Sequence, residues 1–118
     1  ISRIAQFIAA GQSALLAIEP NCRPITFGHL GDGNLHFNVQ APEGGDGAAF
    51  MQLQAAMNLA IHDLVHAYDG SISAEHGLGR LRRDEAIRYR SDLETRLMRT
   101  LKQALDPQNL MNPGKVLP

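Results

Sequence analysis

At 118 residues, with a formal net charge of −1, the chain has room for one domain with a modest core and shows no basic excess to bind nucleic acid. Apolar residues make up 44% and charged residues 19%, the balance of a folded domain rather than a disordered one. No apolar run nears the roughly 20 residues of a membrane span, and one cysteine, Cys22, excludes an internal disulfide framework.

Residues 2–18 read as a helix, with Ile4, Phe7, Ile8, Leu15 and Ile18 at near-helical spacing and alanines between them. Gly11 weakens its middle, and Glu19-Pro20 ends it. The chain opens at Ile1, inside this pattern, which reads as a piece of a longer polypeptide. The missing leader therefore says little about location. Cys22 falls in a loop and is read as incidental.

Residues 24–40 read as a β-hairpin. Leu35, Phe37 and Val39 alternate with His36, Asn38 and Gln40, the period of a half-buried strand. Gly31-Asp32-Gly33-Asn34 supplies turn residues that tolerate positive φ. A loop over 41–47 precedes a helix over 48–67. Leu53, Met57, Ala60, Ile61 and Leu64 share one side of that helix, and Asn58, His62 and His66 the other. Residues 71–75 read as a short strand, with Ser71, Ser73 and Glu75 on its polar side. A helical piece comes next over 84–89. Ser91-Asp92-Leu93-Glu94 fits a capping box and starts a last helix with Leu93, Leu97, Leu101, Ala104 and Leu105 on its apolar face. Asn112-Pro113-Gly114-Lys115 is a turn. This order predicts an α+β fold, a small antiparallel sheet covered by helices.

The chemistry gathers in two places. With a loop over 31–34, His29 lies opposite His36 and Leu30 opposite Leu35, so both histidines and Asn38 occupy the face away from the core. Two imidazoles and the Glu75 carboxylate make a three-ligand set with open positions, the pattern of a catalytic zinc site, and Mn²⁺, Fe²⁺ or Co²⁺ would also suit it. His76 is the next residue. A bend at Gly77 would bring it toward the same cavity as a general base. Asp32 is accounted for by turn chemistry, and His62 and His66 by a solvated helix face. Arg80 is near enough in sequence to neutralise a substrate carboxylate. On these residues alone, a metal-dependent hydrolase and a non-catalytic metal-binding module stand as alternatives to an oxidoreductase.

Three ordered motifs then narrow the choice. They are Gly28-His29-Leu30-Gly31-Asp32-Gly33-Asn34-Leu35-His36, Gly70-Ser71-Ile72-Ser73-Ala74-Glu75-His76-Gly77-Leu78-Gly79, and Leu105-Asp106-Pro107 through Asn112-Pro113-Gly114-Lys115-Val116-Leu117. Together they resemble the C-terminal region of the FAD-linked oxidases. That group holds D-lactate dehydrogenases, D-2-hydroxyglutarate dehydrogenases and the flavin subunit of glycolate oxidase. The resemblance covers nearly the whole chain and is clearest over 25–40 and 70–118. The Ser71 to Gly77 motif is most similar to the D-2-hydroxyglutarate and mitochondrial-type D-lactate branch.

The resemblance implies that residues 1–118 are the C-terminal part of a substrate domain of ferredoxin-like type. It implies FAD, held mainly by an N-terminal domain that this chain lacks, and a divalent metal, zinc in the first instance. His29, His36 and Glu75 match the metal positions, Asn38 a substrate contact and His76 the general base. Asn112 matches a cofactor contact in a tail that returns to the flavin domain. The implied reaction oxidises a D-2-hydroxy acid to a 2-oxo acid with hydride transfer to FAD. The implied partners are the small hydroxy acid, the FAD domain of the same enzyme and an unidentified electron acceptor. Homo-oligomerisation stays open, and the implied location is the bacterial cytoplasm or the mitochondrion. The chain alone is not expected to turn over.

Overall fold

In the computed structural model, which describes residues 2–117, helix α1 (Ile4–Ile18) forms much as the apolar spacing predicts. Its end at Glu19 is extended, at φ −138° and ψ 101°, as Pro20 requires of the residue before it. Strands β1 (Arg23–His29) and β2 (Asn34–Gln40) come next, joined by a 3-10 turn (Leu30–Asp32). Then come α2 (Gly47–Met51), α3 (Gln54–Ala67), α4 (Arg83–Tyr89) and α5 (Asp92–Leu105). Among the described residues the sheet has two antiparallel strands, and the α+β class is as predicted. Contacts divide the chain into two units, Ile1–Ile72 and Ser73–Pro118.

The core of the first unit is Leu15, Cys22 and Met57, with Ile18, Phe37, Val39, Phe50, Leu53 and Ile61 packed against it. Cys22 is therefore a small buried hydrophobe and not an incidental loop residue; burial, with Glu19 nearby, pushes its thiol pKa up. Gly11 has a packing role. A Cβ there would lie 2.6 Å from Phe37 Cζ, so glycine lets β2 seat its aromatic ring against α1. Phe7 meets Phe37 edge-on at 5.8 Å and Tyr68 edge-on at 5.5 Å. Arg3 donates to the Tyr68 carbonyl at 2.7 Å and covers the Tyr68 ring, which ties the start of α1 to the end of α3.

The single helix predicted over 48–67 is two. Asp46 caps α2 by accepting from the Ala48 and Ala49 amides at 2.8 and 3.3 Å. At residues 52–53 the hydrogen bonds tighten: Gln52 N–H reaches the Ala49 carbonyl and Leu53 N–H the Phe50 carbonyl. His62, expected on a solvated face, is buried at 7% exposure. The protected arc of α3 is wider than its apolar stripe and takes in Asn58, Ile61, His62 and Val65. His66 is exposed as expected.

In the second unit the capping box forms in full. Glu94 N–H donates to Ser91 Oγ at 3.2 Å, and Ser91 N–H donates to Glu94 Oε2 at 2.9 Å. Buried Asp106 organises the turn after α5. Its carboxylate accepts from the Leu110 and Met111 amides at 2.8 and 2.9 Å and from the Lys102 ammonium, which also reaches the Met111 carbonyl at 2.6 Å. The apolar face of α5 does not enter a core: Leu93, Leu97, Leu101 and Leu105 are all exposed. Thr95 is its buried residue. Residues 71–75 form no strand. An extended segment becomes a strand only by joining a sheet, and among the described residues the sheet consists of β1 and β2.

Candidate active site

The histidine hairpin has a different register from the one the turn predicts. His29 lies opposite Asn34, Gly28 opposite Leu35, and Phe27 opposite His36. The loop is residues 30–33, closed by the 3-10 turn and by Gly33 at φ 73°, whose N–H reaches the Leu30 carbonyl at 3.2 Å. Moving the loop by one residue moves every pairing by two. Faces are kept under an even shift, because side chains alternate with period two. His29, His36 and Asn38 therefore share one face, as the alternation predicts. His29 and His36 are diagonal neighbours rather than direct opposites, a spacing of roughly 7–8 Å between Cα atoms that two imidazoles can close. Thr26, Phe37 and Val39 lie on the other face.

Gly28 makes this close pairing feasible. Its φ is +152°, and a Cβ there would lie 2.3 Å from the Asn34 carbonyl oxygen.

Sequence reasoning misses Phe27. Its ring stacks on the His36 imidazole with centroids 4.8 Å apart and planes 8° apart. The available signal is parity: Phe27 is two residues before His29, hence on the same face. Ile25, also on that face, pairs with Asn38. Asp32 sits inside the 3-10 turn, in keeping with turn chemistry.

Glu75 and His76 belong to the second unit. Successive side chains of a regular strand would point apart. Here the backbone bends through 74–76, Gly77 takes φ 66°, and His76 Nε2 comes to 3.8 Å from Glu75 Oε2. The bend expected at Gly77 is thus present. The tail is tied beside this segment: Val116 N–H donates to the Gly79 carbonyl at 2.9 Å, and Arg83 donates to the Gly114 carbonyl at 3.3 Å. Asn112 is exposed at φ 48° and its carbonyl accepts from Lys115 N–H at 3.2 Å, which closes the predicted turn. An open groove of about 770 Å³ runs between α5 and the tail, lined in part by Arg99, Lys102 and Lys115.

In the first unit two imidazoles share an accessible strand face, and in the second a carboxylate and an imidazole stand on one bend; these are residue types that can ligate a divalent transition metal. For a dinucleotide the fit is poor: the sheet is two-stranded and antiparallel, so among the described residues no parallel strand–helix–strand unit of the kind that cradles a pyrophosphate forms.

The family model described as FAD linked oxidases, C-terminal domain, matches residues 1–116. The chain belongs to this family. A D-2-hydroxyglutarate dehydrogenase of Xanthomonas citri is 40% identical over 98% of the chain and 25% of its own length. One from Stutzerimonas stutzeri is 42% identical over 82% of the chain and 21% of its own length. The mitochondrial D-2-hydroxyglutarate dehydrogenase of Arabidopsis thaliana is 41% identical over 78% of the chain and 16% of its own length. This FAD-linked oxidase domain thus spans a quarter or less of these relatives. None of its described helices is long and apolar enough to cross a membrane.

Proposed function

We propose that the chain is the C-terminal part of the substrate domain of a flavin-dependent dehydrogenase that oxidises a D-2-hydroxy acid, with D-2-hydroxyglutarate as the first substrate to try. The observation that carries this reading is 40% identity to a D-2-hydroxyglutarate dehydrogenase across 98% of the chain. The strand face bearing His29, His36 and Asn38 supports it.

In this reading His29, His36 and Glu75 hold a divalent ion, zinc in the first instance. That ion would supply a Lewis acid for the substrate carboxylate and 2-hydroxyl. FAD, bound chiefly by parts that the relatives carry beyond this span, would accept the hydride. The chain's own residues do the rest. The Asn38 amide donates to the substrate carboxylate and orients it. His76 takes the hydroxyl proton at a ring nitrogen, with the Glu75 carboxylate beside it. The tail at Asn112 meets the flavin portion. The place of action in this reading is a bacterial cytoplasm or a mitochondrion, in keeping with relatives from bacteria and one named as mitochondrial.

The test uses the full-length flavoprotein. It should be yellow and reduce a dye with D-2-hydroxyglutarate. His36→Ala should abolish dye reduction while flavin stays bound. Unchanged turnover in that variant would refute the metal role. A colourless protein with hydrolytic activity would sink the oxidoreductase reading altogether.

A further inference from the structure

Phe27 is 53% exposed in this span, and it stands on the face opposite Phe37 and Val39, which pack against the core. Among the described residues its ring stacks on His36, directly across the ladder.

The form of that contact is decisive. A stack with only 8° between the planes covers one π face of the imidazole. The stack itself does not cover the ring edge, where Nδ1 and Nε2 lie. A metal ion binds imidazole in the ring plane, along a nitrogen lone pair. The stack therefore blocks the rotations that would swing the nitrogens away and does not obstruct the direction of binding. Supporting groups of this kind set the orientation of metal-ligating histidines.

We infer that Phe27 is a positioning residue: it holds the His36 imidazole in the orientation that presents a ring nitrogen to a divalent metal. The inference rests on the metal reading above, and Phe27 touches neither substrate nor flavin in it.

The test uses the full-length flavoprotein, stripped by a chelator and titrated with Zn²⁺, and with Co²⁺ for its absorption bands. Phe27→Leu keeps apolar bulk and removes the flat ring; Phe27→Tyr keeps the ring. Phe27→Leu should weaken metal binding about 10-fold or more, as loss of a ligand's support commonly does. It should also alter the Co²⁺ bands, with flavin content unchanged. Phe27→Tyr should stay near wild type on both. If Phe27→Leu binds metal like wild type while His36→Ala does not, the positioning role is wrong and the metal reading stands. If His36→Ala also binds like wild type, the metal reading fails and takes the inference with it. Loss of flavin or of cooperative unfolding in Phe27→Leu would mark a folding role and overturn the inference too.

Discussion

A Cβ on Gly28 would sit 2.3 Å from the carbonyl oxygen of Asn34, so the two strands that carry the histidines are held closer than any other residue allows. The backbone there, at φ +152°, is also one that side chains rarely adopt. Two independent penalties thus fall on one position, next to His29.

Gly28→Ala should cost on the order of 2 kcal/mol or more in stability, since it combines a forbidden conformation with a backbone clash. Denaturant unfolding of the full-length enzyme measures it. The variant should also lose His36-dependent metal binding, because the ladder must open to admit the methyl group. A stability change within about 0.5 kcal/mol, the range of an ordinary surface substitution, would show that the strands separate more easily than this packing implies.

Gly11→Ala sets two effects against each other. Helix propensity favours alanine by up to about 1 kcal/mol. Overpacking opposes it by about 1–3 kcal/mol, because the new methyl meets Phe37 Cζ at 2.6 Å. The ring has little freedom to retreat, since Phe7 lies edge-on against it. A net loss of about 1 kcal/mol is expected. Combining Gly11→Ala with Phe37→Leu should cost less than the sum of the single changes, the mark of residues in contact. Strict additivity in the double-mutant cycle would refute the contact.

Asp106 gives the acid limb. The Lys102 ammonium donating to its carboxylate, helped by the Met111 and Leu110 amides against the effect of burial, lowers its pKa below the ordinary 3.8. A depressed carboxylate stabilises the fold above its unfolded value, and that contribution is lost as pH falls through the folded value. Thermal midpoints should therefore hold above about pH 5 and fall as pH drops toward 3 and below. Asp106→Asn should lower the midpoint at pH 7 and flatten this part of the acid limb. An acid limb as steep as wild type in that variant would move the effect to another group.

Much of this is legible in residue order. The alternation of Leu35, Phe37 and Val39 with His36 and Asn38 separates the core face from the polar face, and that survives a wrong register because the error is an even number of residues. The Ser91–Glu94 capping box is readable because its partners are three residues apart and need nothing distant. His62 is misjudged because helical periodicity ranks faces by residue type and does not see how wide an arc a neighbouring helix covers. The run at 71–75 is misjudged because a strand is a property of two segments, and only one is visible.

Residue order was enough for the start of α5, the parity of the hairpin and the family, since each depends on local spacing or motif identity. Packing set the rest: His36 faces Phe27 and not His29, and Glu75 and His76 turn to the same side. It alone showed Gly11 and Gly28 as points of close approach. Those facts depend on which chain segments meet and at what distance, and residue order specifies neither until packing has chosen one arrangement.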